Sequence, residues 1–262
     1  MQLTARLSHP HTITIFDYGR TPDGVFYYAM EFVDGLTLEQ IVELDGPQPV
    51  QRVVALLRMV AGALAEAHSV GLIHRDIKPA NILLGPLGGR HDVAKVVDFG
   101  LVKEVQGAGV DLSSADVVVG TPNYLPPESI TAPDTVDGRS DLYSLGATGH
   151  FLLTGKPVFA GKTVVEVCTH HLHTEAPRLE LGEKGAGCAA LLHACLAKDP
   201  ADRPASAEAL EAALAEIEQT LPWTEADAKA WWTERADAIQ KRKSAAPSPS
   251  GSRTIAIDLV GR

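Results

Sequence analysis

Residues 74–84 read His-Arg-Asp-Ile-Lys-Pro-Ala-Asn-Ile-Leu-Leu, which sets an acid (Asp76), a cation (Lys78) and an amide (Asn81) in one short turn before an apolar run. A turn of this kind makes a poor core. It is well suited to handling a proton beside a charged substrate, because a carboxylate can take the proton while the nearby ammonium steadies negative charge. Taken singly, Asp76 or Asn81 could equally be a loop residue bonding its own backbone. Further polar clusters follow at Asp98-Phe99-Gly100 and at Gly120-Thr121-Pro122.

These clusters need elements to hold them. Val50, Val53, Val54, Leu57, Val60, Ala61 and Leu64 recur at three- and four-residue spacing, which predicts a helix over residues 50–67 with Gly71 as its stop. Strands at 82–84 and 94–97, joined by a Gly-rich turn at 85–89, would flank the loop and deliver Asp98. Upstream, residues 13–17 and 25–33 have strand composition around Pro22-Asp23-Gly24, which predicts a hairpin, and a helix is expected over 36–44. Residues 101–123 lack a sustained period, and an irregular stretch of that length in a compact domain is usually functional. Helices are expected at 140–153, 163–173, 188–196 and 206–220, with one more amphipathic helix around Trp231, Trp232 and Ile239 up to about Lys243. Residues 244–252 have linker composition, and 254–260 alternate like a strand without an evident partner.

With 262 residues, 45% of them apolar, the chain can bury a core. No apolar run approaches the roughly 18 residues of a membrane span, and residues 1–6 do not open a secretory signal, so the expected compartment is the cytoplasm. Cys168, Cys188 and Cys195 are an odd set without paired spacing, which argues against a disulfide framework or a cysteine zinc site. A net charge of −10 disfavours a nucleic-acid surface. The run Cys168-Thr169-His170-His171-Leu172-His173 has metal-binding residue types, but on a helix only His170 and His173 share a face, so a surface helix is expected there.

In order and separation, His74-Arg75-Asp76, Lys78, Asn81, Asp98-Phe99-Gly100, Gly120-Thr121-Pro122 with Pro127-Glu128, the Ser140–Gly146 block and Asp202-Arg203-Pro204 together resemble the signature of the protein kinases. Lys78, two residues after Asp76, is similar to the serine/threonine branch, and the wording overall resembles the bacterial eukaryotic-type kinases; the likeness covers roughly residues 7–220. It implies an α+β, protein-kinase-like fold. A remnant of the β N-terminal lobe with the hinge would span 1–33, a mostly helical C-terminal lobe 34–220, a C-terminal helical extension 221–243 and a flexible tail 244–262.

The resemblance also implies ATP and Mg2+ as cofactors and a protein Ser/Thr hydroxyl as acceptor. Asp76 would accept the hydroxyl proton, Lys78 would steady the transferred group, and Thr121 would contact both. Asn81 and Asp98 would hold magnesium. Met30, Glu31 and Val33 would form the hinge, with the Glu31 carbonyl and Val33 amide at the adenine edge, Met30 guarding the rear and Leu83 as the floor. Ile15, His74 and Phe99 would form a packed column anchored on Asp141, and Glu128 and Arg203 a buried ion pair. Arg75, read as a buried cation beside the acid, would want a further anion, with Ser113 or Ser114 as candidate phosphorylation sites.

The family's Gly-rich strand-turn-strand, strand lysine and pairing helix glutamate have no counterpart here: the first Gly is Gly19, the first Glu is Glu31 and the first Lys is Lys78. The expectation is therefore an N-terminally truncated kinase with the first three strands and most of the following helix missing, and with impaired activity as written. The unpaired hairpin edge would favour association, including a homodimer. The other readings are a catalytically inactive kinase-like scaffold and a small-molecule phosphotransferase of the same fold; Lys78 and the Gly120-Thr121-Pro122 block favour a protein substrate over the latter.

Overall fold

A computed structural model describes residues 7–21, 26–99 and 122–245. Strands β1 (Ile15–Arg20) and β2 (Phe26–Met30) pair antiparallel, with Asp17 opposite Ala29 and Gly19 opposite Tyr27. Among the described residues no second layer covers these two strands, and Phe16, Tyr18, Tyr27 and Tyr28 are exposed. The turn predicted at 22–24 lies outside the described residues.

Strand β3 (Leu36–Thr37) pairs antiparallel with β4 (Ile82–Leu87), which pairs in turn with β5 (Arg90–Val96). The β4–β5 turn is confined to Gly88 and Gly89, both at positive φ, as a tight two-residue hairpin requires. Residues 36–44, expected to be wholly helical, give their first two residues to β3. The reason is a cap: Thr37 Oγ1 accepts from the Gln40 amide while Gln40 Oε1 accepts from the Thr37 amide, so helix α1 (Leu38–Asp45) starts only after Thr37.

Helix α2 (Val50–Ser69) buries Val53, Val54, Leu56, Leu57, Val60, Ala61 and Leu64. The larger lobe continues with α3 (Pro127–Thr131), α4 (Gly138–Thr154), α5 (Val164–His173), α6 (Gly182–Cys195) and α7 (Ala207–Thr220). α2 is central, packed on α7 and α4. Gly149 permits the close approach of α4, since a Cβ there would meet Leu57 Cδ1 and Leu192 Cδ2 at 2.8 Å. α6 begins six residues before the expected Cys188 because Gly182, Gly185 and Gly187 hide its start from a periodicity reading.

The surface helix expected at 163–173 is α5, but His171 is fully buried, 2.8 Å from the Tyr143 hydroxyl and edge-on to Phe159. Among the described residues no group of three or more His, Cys, Asp or Glu could hold a metal ion. No helix among them is long and apolar enough to cross a membrane.

The single helix expected beyond residue 222 is two, α8 (Glu225–Glu234) and α9 (Ala236–Ala245). They break at Arg235, whose backbone leaves helical geometry and whose Nε donates to Asp45 Oδ1 at 2.7 Å. Beneath α8 lies Arg52, wholly buried, which donates to Asp92 through Nε (2.8 Å) and Nη2 (2.7 Å) and to Gln48 Oε1. Asp92 sits at φ 51° and also accepts from the indoles of Trp223 (2.8 Å) and Trp232 (2.7 Å). This buried carboxylate thus receives four charge-assisted or indole hydrogen bonds, which is how a buried ion pair avoids a stranded charge. The strand-like residues 254–260 lie outside the described residues.

Candidate active site

The turn at 74–81 is fixed mainly through its backbone. Asp141, buried near the start of α4, accepts the amides of His74 (to Oδ2) and Arg75 (to Oδ1), each at 2.8 Å, and the Nε2 of His68 at 2.8 Å. The His74 ring is buried, with Nε2 2.9 Å from the Val97 carbonyl and Nδ1 receiving the Asp76 amide at 3.3 Å. The Nε2–H tautomer satisfies both. The His74 and Phe99 ring centroids lie 4.6 Å apart, so two members of the expected column touch, and the His74 backbone is bonded to Asp141. Ile15, the third, is half-buried at the start of β1, opposite Met30.

Arg75 departs from the expectation of a buried cation. Its side chain is exposed, and its backbone adopts φ 66°, which costs an arginine free energy and is held by the amide bond to Asp141. Asp98 has φ 62°. Two of the three non-glycine residues with positive φ among the described residues therefore flank this site.

The turn then presents its acid. Asp76 is about half exposed; Lys78 Nζ donates to its Oδ2 at 2.8 Å and Oδ1 at 3.1 Å. Asn81 Nδ2 donates to the Asp76 carbonyl (2.8 Å) and to Oδ2 (2.9 Å). The three polar residues singled out in the sequence thus share one carboxylate. Asn81 is nine-tenths buried, in a short 3-10 turn (Pro79–Asn81) that runs straight into β4. Its carbonyl accepts the Val97 amide at 3.0 Å, which ties the turn to the strand end that delivers Asp98. Tyr28 of β2 reaches Asp98 Oδ1 at 3.4 Å, and partial burial of the phenol, with the carboxylate beside it, pushes it above its ordinary range.

Of the residues expected to form the hinge, Val33 packs beside the end of this strand. Ile13, Val33 and Val97 form a small buried cluster with Leu83 packed on it. Met30 ends β2 and is partly exposed, and Phe32 is largely exposed. Glu31 turns inward: its Oε1 accepts from Lys95 Nζ (2.6 Å) and the Thr14 amide (2.8 Å), while Lys95 also reaches the Thr12 carbonyl. Lys95 was not singled out in the sequence, although a lysine within an apolar strand must find an anion. His68 was missed too, because nothing near residue 68 points to an acid at 141. Gly35 lies so close to β4 that a Cβ would sit 2.2 Å from the Leu84 carbonyl, so the backbone just after Val33 is in contact with the strand that carries Leu83.

Glu128 and Arg203 pair as expected, with Nη1–Oε1 2.6 Å and Nη2–Oε2 2.8 Å, both side chains buried. Thr121, Ser113 and Ser114 lie outside the described residues.

Comparison with known proteins agrees with this geometry. The protein kinase domain model matches residues 1–214. The serine/threonine-protein kinase pkn3 of Myxococcus xanthus is 39% identical over 221 residues, covering 82% of this chain and 40% of that protein. The serine/threonine-protein kinase PknB of Mycobacterium tuberculosis is 35% identical over 258 residues, covering 97% of this chain and 40% of that protein. The chain thus spans about 40% of the length of these curated relatives. Among solved structures, a double mutant of the Mycobacterium tuberculosis PknI kinase domain superposes with TM-score 0.59 at 28% identity, over 82% of this chain and 75% of that one. Rad53 in complex with AMP-PNP shares the fold, with TM-score 0.65 at 24% identity over 80% of this chain and 52% of that one.

Proposed function

The chain belongs to the protein kinase family, among the bacterial serine/threonine kinases of eukaryotic type, and from that premise we propose that it transfers the γ-phosphoryl group of ATP to a Ser or Thr hydroxyl of a protein. The observation that carries the proposal is the half-exposed Asp76 carboxylate, held by Lys78 and Asn81 in a loop whose backbone is bonded to Asp141. Phosphoryl transfer asks for positioning and charge neutralisation more than for covalent help, and a preset loop supplies the first.

In this reading Asp76 orients the acceptor hydroxyl and takes its proton, and Lys78 Nζ, already beside that carboxylate, faces the negative charge of the transferred group. Thr121 completes the acceptor side. Asn81 and Asp98 fit a magnesium ion: the Asn81 nitrogen is committed to Asp76, leaving its side-chain oxygen, and Asp98 adds a carboxylate, both hard donors of the kind Mg2+ takes. When bound, the ion would neutralise phosphate charge. Val33 and Glu31 offer backbone groups to the adenine edge, Met30 closes the rear and Leu83 lies beneath, supported by the Ile13–Val33–Val97 cluster. The proposal extends to a cytoplasmic setting, where the buried free thiols Cys188 and Cys195 would stay reduced. It also includes self-association through the exposed aromatic β1–β2 hairpin.

Incubation of the full chain with radiolabelled ATP, Mg2+ and a generic protein acceptor tests the reading. Label on Ser or Thr that disappears in Asp76→Asn is the expected result. Equal labelling by wild type and Asp76→Asn would overturn it.

A further inference from the structure

The two C-terminal helices are attached to the lobe in different ways. α8 is built in: Trp223 and Trp232 donate to the buried Asp92, Trp231 Nε1 donates to Asp45 Oδ2 at 2.7 Å, and the Arg52 guanidinium lies 3.8 Å over the Trp231 ring. Its start is capped by Thr224 and Asp227 in a reciprocal box. Breaking either indole bond to Asp92 leaves that buried carboxylate one donor short.

α9 has little of this. Its residues 236–244 include one large apolar side chain, Ile239, which is buried. Its other side-chain ties among the described residues are Arg242 to Glu43 and Lys243 to Asp34, between partly exposed side chains. Such surface pairs are weak and screened by salt. The placement of the second pair gives it meaning, because Lys243 Nζ reaches both Asp34 Oδ1 (2.5 Å) and the Asp34 carbonyl (3.3 Å). Asp34 directly follows Val33 of the hinge and precedes Gly35, whose amide bonds the Val33 carbonyl at 2.9 Å and whose backbone abuts Leu84. One ammonium therefore clamps a residue joined to both the hinge and the strand of the adenine floor.

We propose that α9 is a releasable strap across the hinge exit, with Lys243 as a positioning residue that acts through Asp34 on the nucleotide-binding backbone at Val33. α8 is its fixed anchor. The effect on nucleotide rests on the kinase reading above, whereas the strap itself does not.

The test is hydrogen exchange on the full chain, read over residues 33–36, 225–234 and 236–244, for wild type, Lys243→Glu, Lys243→Arg and the swap Asp34→Lys/Lys243→Asp. At about 50 mM salt, Lys243→Glu is expected to speed exchange of α9 and of residues 33–36 several-fold and to leave α8 protected; at about 500 mM salt wild type should approach it. Lys243→Arg and the charge swap should restore protection. The dissociation constant for MgATP should rise about 2- to 5-fold in Lys243→Glu, with the melting temperature unchanged. Unchanged exchange at 33–36 in Lys243→Glu, or α8 and α9 exchanging as one unit, would overturn the strap. A chain that shows the exchange pattern but binds no MgATP would refute the nucleotide reading and leave the strap standing.

Discussion

Replacing Glu128 by alanine isolates what the Glu128–Arg203 pair contributes. Arg203 has five N–H donors and all are used: Nε on the Ala197 carbonyl, Nη1 on Glu128 Oε1 and the Arg139 carbonyl, Nη2 on Glu128 Oε2 and the Lys198 carbonyl. Its side chain has no solvent exposure. Glu128→Ala therefore strands a buried guanidinium and two of its donors, and also removes the acceptor of the Ser140 hydroxyl. Breaking a buried pair in this way costs about 3 to 5 kcal/mol. At about 2 to 4 °C per kcal/mol for a domain of this size, the melting temperature should fall by roughly 6 to 20 °C. Differential scanning calorimetry or circular dichroism melts read it directly. The pair also predicts a pH response: burial pushes the Glu128 carboxyl up, but bonds from Arg203 and Ser140 outweigh that and hold it below its usual 4.5. The unfolded chain then takes up this proton at higher pH than the folded one, so the stabilisation is complete above the usual value and is lost as pH falls through the lower folded value. Glu128→Ala should remove that component of acid sensitivity. A melting point within a degree or two of wild type would refute the reasoning, since no buried cation could then have been left unpaired.

Asp76→Asn should lower phosphoryl transfer by about 10²- to 10⁴-fold while leaving the melting curve in place, because the side chain is half exposed; steady-state rates and a thermal melt check both. Trp232→Phe removes an indole donor from Asp92 and should destabilise the fold by about 1 to 3 kcal/mol, measurable by urea unfolding. Burial, assisted by the charge of Lys198, depresses His171 to about 4. The unfolded chain protonates this group first, so stability should decline as pH falls from the usual 6.5 towards about 4, and His171→Gln should flatten that part of the Tm–pH curve.

The cluster of Asp76, Lys78 and Asn81 was legible because the loop's parts are adjacent in the chain and meet within six residues. α2 was legible because one face repeats at helical spacing. Glu128 and Arg203 could be paired across the chain only through the family resemblance. What could not be read was long-range polar contact with no local period. Asp92 lies in a strand, 40 residues from Arg52 and 131 and 140 from its two tryptophans, and nothing in residues 90–96 says that an aspartate is to be buried. The same holds for Lys95 with Glu31, for His68 with Asp141, and for Arg235, at the helix break, with Asp45 on another helix.

Asp141 separates the shape of the 74–81 turn from its chemistry. The carboxylate grips backbone amides, which every residue except proline provides, and so is indifferent to the side chains displayed above it. Over evolutionary time a lineage could exchange Asp76 or Lys78 and keep the mount intact. Silent descendants of such a protein would retain a well-formed turn with nothing to do in it, and for an engineer the same turn is a socket whose contents can be changed without rebuilding the wall.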